Sequence, residues 1–149
     1  MGRVKDFDDL KQLKLTMVRE KSRLDTLQEA MFTLGGNGNG DGKVDGGGIN
    51  RMEDNYINMI DLVHNQEVAY NLITIKYYTL ENKIYSNINK VGKINELYAI
   101  ILYERFVKGR QIDAIADQIG YSDKRYFQLQ KEALKCYETL TEDIKEIEI

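Results

Sequence analysis

Apolar residues recur at steps of three and four along two long stretches of this chain. The first stretch runs Leu10, Leu13, Met17, Leu24, Leu27, Met31, Leu34, with Glu20 in the one polar seam position. Lys11, Gln12, Lys14, Arg19, Lys21, Arg23, Asp25 and Gln28 flank it. The pattern predicts one amphipathic helix over roughly residues 6–34, too long to stand alone in water. The second stretch runs Ile49, Met52, Tyr56, Met59, Val63, Gln66, Tyr70, Ile73, Tyr77, Leu80, Ile84. Only Gln66 among these is neither apolar nor tyrosine, so a single helix over about residues 49–90 follows, about 60 Å long. The chain has no proline to break either helix. The shorter helix is expected to fold back antiparallel along the first part of the longer one. Glu20 and Gln66 each interrupt a seam. Such residues either fix register or sit in wet positions, and the pattern leaves both readings open.

Between the two helices lies Gly35–Gly48, in which eight residues are glycine. Asn37, Asn39, Asp41, Gly42, Val44 and Asp45 match the first, third, fifth, sixth, eighth and ninth places of a calcium loop. Gly48 stands where the bidentate glutamate belongs, and only Asp41 and Asp45 bring charge. A flexible helix–helix connection is therefore the reading adopted, with weak calcium binding as its rival. The loop lacks the Gly-Lys-Ser/Thr ending of a phosphate loop.

After a joint at Val91–Asn95 the pattern shortens to three helices. Asn95 is placed to cap a helix that starts at Leu97 and ends before Gly109. Ile112, Ile115, Ala116 and Ile119 make one apolar face of a helix about two turns long, which needs neighbours to persist. Gly120 follows where the chain leaving that helix requires positive φ. Ser122 can cap the next helix, and Asp123 suits its positive end. A short helix, a glycine turn and a capped second helix form the helix-turn-helix geometry that places its second helix in a DNA groove.

Three runs carry a resemblance: Tyr103-Glu-Arg-Phe-Val-Lys-Gly109, Ile112-x-x-Ile-Ala116-x-x-Ile-Gly-Tyr-Ser122, and Tyr126-Phe-x-Leu-x-Lys-x-Ala-Leu134. Together they resemble region 4 of bacterial sigma factors. The whole chain more loosely resembles phage and mobile-element late transcription regulators of the ArpU and RinA kind, which pair a helical N-terminal half with a sigma-like C-terminal half. The detailed likeness covers about forty residues. It implies a DNA-binding regulator acting at promoters with RNA polymerase. It also places Arg105 and Lys108 near the DNA backbone, Lys124 early in the recognition helix, and Ile112, Ala116, Gly120 and Leu129 at packing positions. Tyr126 departs from the family's small branched apolar residue, and Gln128 and Gln130 replace its common Arg and His.

In this reading Ser122, Lys124, Arg125 and Gln128 are the outward contacts of the recognition helix, since Arg can read guanine and Gln adenine in the major groove. Lys108, Arg110 and Gln111, at the start of the preceding helix, would meet phosphate, with Lys131 and Lys135 on the flank. Arg105 completes the DNA-binding set. Ile112, Ile115, Ala116, Ile119, Gly120, Tyr126 and Leu129 form the helix-turn-helix core. Tyr121, Tyr126, Phe127 and Phe106 read as packing residues rather than base-stacking platforms.

Charge changes the picture only slightly. The 149 residues carry a net charge of −3, so no broad positive field points to nucleic acid. Glu96–Tyr137 holds seven Lys or Arg against six Asp or Glu, so only the placement of its bases can help. Glu138–Ile149 holds five acids and one lysine, with a weak apolar face at Leu140, Ile144 and Ile147 that can extend the last helix. The single cysteine, Cys136, excludes a disulfide framework and a thiolate zinc site, and reads as a buried, inert thiol on the face of Leu129, Ala133 and Leu140. His64, the single histidine, falls on a helix flank with no catalytic partner. No acid pair, triad or metal constellation suggests an enzyme or a cofactor. No apolar run approaches the length of a membrane span, and the N-terminus lacks a secretory core, so a cytoplasmic place in a bacterial host or phage-infected cell is expected.

The expectation is thus an all-α chain: a long antiparallel helical hairpin over residues 1–91, then a three-helix sigma region 4-like domain with an acidic tail over 92–149. Its expected partners are double-stranded DNA, RNA polymerase and a second copy through the long helices, with no membrane. The competing classes are a non-catalytic helical assembly or adaptor protein with a degenerate helix-turn-helix, or the small subunit of a DNA-packaging machine.

Overall fold

The computed structural model describes the backbone of residues 4–37 and 46–148 and the side chains of 4–33 and 53–142. The central part of the glycine-rich segment, and with it the choice between a calcium loop and a free connection, lies outside the described residues. So do the side chains of Leu34, Ile49, Met52, Ile144 and Ile147. The fold is all-α, with a long helical hairpin followed by a compact multi-helix unit. Helix α1 is Lys5–Asn37 and α2 is Gly46–Ile94. Then come α3 (Glu96–Leu102), a π-helical turn (Tyr103–Val107), α4 (Ile112–Ile119) and α5 (Asp123–Glu148).

Contacts divide the chain into two units, residues 13–77 and residues 1–12 with 78–149. In the first, the periodic seams are the buried sides: Leu24, Val63 and Tyr77 are buried, and Leu13, Met17, Leu27, Met59, Tyr70 and Ile73 are half-buried. Tyr56, also a seam position, is exposed. The two polar interruptions meet each other. Gln66 Nε2 donates to the Glu20 carbonyl at 3.0 Å and to the Glu20 carboxylate. Arg23 closes on the same carboxylate at 3.2 Å. Glu20 is therefore buried with its acceptors occupied, which satisfies the requirement on a desolvated carboxylate. One residue on, Lys21 Nζ lies over the Tyr70 ring, 5.7 Å from its centroid.

In the second unit the first turns of α1 belong to the core. Val4, Phe7 and Leu10 continue the α1 periodicity towards the N-terminus and are buried. Phe7 stacks on Phe106 at 4.9 Å and lies as close to Tyr137. Tyr137 is fully buried; its hydroxyl donates to Asp6 at 2.8 Å and accepts from Asn87 Nδ2 at 3.2 Å. Lys83 pairs with Asp6 at 3.6 Å. Burial raises the Tyr137 pKa; the Asn87 bond opposes the rise and Asp6 adds to it. Ile84, Val91, Ile101 and Leu102 complete a core with essentially no exposure.

Two local features differ from the simple pattern. The joint at Val91–Asn95 is helical as far as Ile94, and Gly92 sits where a Cβ would come within 3.3 Å of the Ala99 side chain. Gly92 thus allows α3 to approach α2 closely and is not a hinge. Asn95 then breaks the helix in extended conformation (φ −154°, ψ 110°) and caps α3, accepting from the Leu97 N–H at 3.0 Å. The expected single helix before Gly109 is instead α3 plus the π turn, with Lys108 N–H bonding Tyr103 O at 3.0 Å. The wider turn is followed by Gly109 at φ 73°, which redirects the chain into α4.

Candidate nucleic-acid interface

The pair α4–α5 is assembled on one buried cluster. Ile101, Ile115, Ala116, Tyr126 and Leu129 are buried together, with Leu97, Tyr98, Ile112 and Ile119 packed against them. α4 has only eight residues and keeps its helical form because this cluster claims its apolar face. Gly120 adopts φ 77°, ψ 30°, and the Tyr121 N–H bonds Ala116 O at 3.0 Å, which closes the end of α4. Ser122 Oγ accepts the Arg125 N–H at 3.2 Å and caps α5. The Tyr126 hydroxyl and Gln130 Oε1 are buried with no hydrogen-bond partner among the described residues.

The nine candidate DNA contacts fall into two groups. Ser122, Lys124, Arg125, Gln128 and Lys131 are exposed along the first turns of α5, and Gln111 is exposed just before α4. Within this group Arg125 donates to Gln128 Oε1 at 3.0 Å. The other group is tied into the corner between the π turn and α4. Arg105 is half-buried and donates to the Arg110 carbonyl at 2.8 Å. Arg110 pairs with Glu104 at 3.0 Å and also bonds Gln118. Lys108 pairs with Glu104 at 3.6 Å and lies over the Tyr103 ring, 5.1 Å from its centroid. Glu104, whose side chain is largely covered, is the anchor of this corner. Its spacing of four from Lys108 was the available signal for that pairing.

Three acids escaped the sequence reading as a group. Asp113 and Asp117, one turn apart on α4, come together with Asp123 at the start of α5. The negative charge of Asp113 raises the Asp123 pKa first, with lesser contributions from desolvation, a hydrogen bond to Asp113, and Asp117. All three are exposed. The exposed bases of α5 thus have a local negative neighbour at the helix start.

Aromatic positions also divide. Tyr126 and Phe106 pack inward, but Tyr121 and Phe127 are 43% and 47% exposed, contrary to the packing role expected of all four. Phe127 follows buried Tyr126 by one residue, about 100° around the helix, and meets it only edge-on at 5.9 Å. Cys136 is half-buried rather than buried, in a shallow groove with Ile94, Glu132, Lys135, Thr139 and Leu140, and burial raises its thiol pKa. His64 is exposed on α2. Among the described residues no group of His, Cys, Asp and Glu is arranged to hold a metal ion, and no helix is long and apolar enough to cross a membrane. No family model matches the chain, and neither a curated protein nor a solved structure shows similarity to it.

Proposed function

We propose that the chain is a sequence-specific DNA-binding transcription regulator that uses α4 and α5 as a sigma region 4-like helix-turn-helix. The observation that carries this reading is the turn itself. α4, Gly120 in left-handed conformation and Ser122-capped α5 leave Lys124, Arg125, Gln128 and Lys131 on the exposed side of a rigid element. Arg125 and Gln128 have the donors and acceptors to read base edges, and Lys124 and Lys131 suit phosphate. The internally paired Arg105, Lys108 and Arg110 then act chiefly as scaffold for the corner, holding α4 in place. The resemblance to phage and mobile-element late regulators supplies the promoter and the RNA polymerase in this proposal.

A second reading has its own support. The Asp113–Asp117–Asp123 group beside those bases opposes phosphate and favours a protein partner, as in an assembly or adaptor protein with a degenerate helix-turn-helix.

Fluorescence anisotropy of the full chain against tiled duplex fragments from its native genetic neighbourhood separates the two. Regulation by DNA binding predicts one preferred fragment and steep weakening with salt. Replacing both Lys124 and Arg125 with Ala should abolish the preference and lower the salt slope by about one. Asp113→Asn with Asp117→Asn should tighten binding. Flat curves at low salt for both the native chain and the Asp variant would remove the DNA reading and leave the protein-partner one.

A further inference from the structure

Helix α2 has a second apolar face. Ile57, Ile60, Val68, Leu72 and Ile75 recur at helical spacing, with His64 in the same row. At 100° per residue this row lies opposite the seam of Val63, Gln66 and Tyr70. Its aliphatic side chains are 42–62% exposed. The outer side of α1 offers no equivalent, since Leu15 and Val18 are followed there by Ser22, Asp25 and Glu29. Single exposed aliphatics are ordinary on a protein surface, but five in one row along a helix, interrupted only by His64, mark an interaction site.

The charges bordering the row identify its occupant. Asp61 and Lys76 lie along the same edge, Asp61 in the N-terminal half of the row and Lys76 at its C-terminal end, and neither makes an ion pair among the described residues. If α2 meets α2 of a second copy antiparallel about a two-fold axis near Val68, residues whose numbers sum to about 136 face each other. Val68 then meets Val68, Ile60 meets Ile75, His64 meets Leu72, and Asp61 meets Lys76 in both directions. A parallel pairing would put like residues at the same level on opposite sides of the interface and bring no Asp61 to a Lys76. The size is also adequate. The row presents on the order of 450 Å² per copy, and the bordering polar side chains bring the pair towards the ~1,200 Å² at which stable interfaces begin.

We infer that this face is a homodimer surface, on which a second copy of the chain docks antiparallel along Ile57–Ile75. The inference is independent of whether α5 binds DNA.

Sedimentation equilibrium of the full chain at tens of micromolar tests it. The native chain should be dimeric. Val68→Glu should shift it to monomer while circular dichroism stays unchanged, because the position is exposed and tolerates the charge in the monomer. Asp61→Lys and Lys76→Asp should each weaken the dimer at least tenfold, and the two together should restore it. A monomeric native chain, a dimer indifferent to Val68→Glu, or single charge reversals without effect or without rescue in combination would overturn the proposal.

Discussion

Residues 13–77 and the unit formed by residues 1–12 with 78–149 share the same two long helices but bury them very differently. In the second unit the helices are joined by α3, the π turn and α5, and Ile84, Val91, Ile101, Leu102 and Tyr137 are completely enclosed. In the first unit two helices lie side by side. Each can cover only one stripe of the other, so most seam residues are half-buried and the outer row of α2 faces water. A helix pair has no third element to close its core. The polar content follows the same division. The enclosed unit holds a hydrogen-bonded network around the buried Tyr137 hydroxyl, whereas the open pair places a carboxylate and an amide in the seam and joins them.

The sharpest way to break this comparison is to remove a large side chain from each unit. Ile101→Ala should lower stability by about 2–5 kcal/mol, because the enclosed site cannot collapse around the cavity. Met59→Ala, at a half-buried seam position, should cost about 1 kcal/mol. Urea unfolding of the two variants under the same conditions reads the difference, and equal losses would show that the hairpin core is as closed as the other.

A smaller effect is expected at the polar pair. Gln66→Leu removes the donor and leaves a covered Glu20 carboxylate with the exposed Arg19 and Arg23 guanidinium groups, at a cost of about 1–2 kcal/mol. Glu20→Leu combined with Gln66→Leu should recover most of that loss. Failure to recover would mean that the pair contributes net stability rather than register.

The smallest expected effect is alkaline. The Tyr85 pKa is pushed up to about 12, chiefly by its hydrogen bond with Tyr103, and burial raises Tyr137 as well. Both groups hold their protons more tightly when folded, so their contribution is complete below the ordinary tyrosine pKa near 10. It falls as pH rises above that value, through about 12 for Tyr85. Helicity followed alongside tyrosinate absorbance should show ionisation lagging the free amino acid and coinciding with unfolding, with a shallower pH dependence in Tyr137→Phe.

Much of this architecture was legible in the residues. The two seams, the glycine after Ile119, the Ser122 cap and the Asn95 cap are all local signals, in which one side chain or one period determines a backbone state. What escaped was contact between distant residues. Val4 and Phe7 continue the α1 period, but nothing local says that they pack against Phe106 and Tyr137. Glu20 and Gln66 each read as a seam defect, and their pairing depends on the register of two helices. Gly92 read as a joint, although its lack of a side chain serves the approach of Ala99. Asp113, Asp117 and Asp123 are ordinary surface acids in the chain, and only the turn between α4 and α5 makes them neighbours.

The sequence by itself determined the helical character of the chain and most of its helix limits, because periodicity, capping and the absence of proline act within a few residues. The tertiary structure alone decided which cations are free and which are committed. Arg105 and Arg110 look as available as Lys124 and Arg125 until the π turn folds the Arg110 carbonyl and Glu104 against them. A charge becomes a binding group or a structural strut according to what the fold brings within about 4 Å of it, and that distance is written nowhere in the linear order.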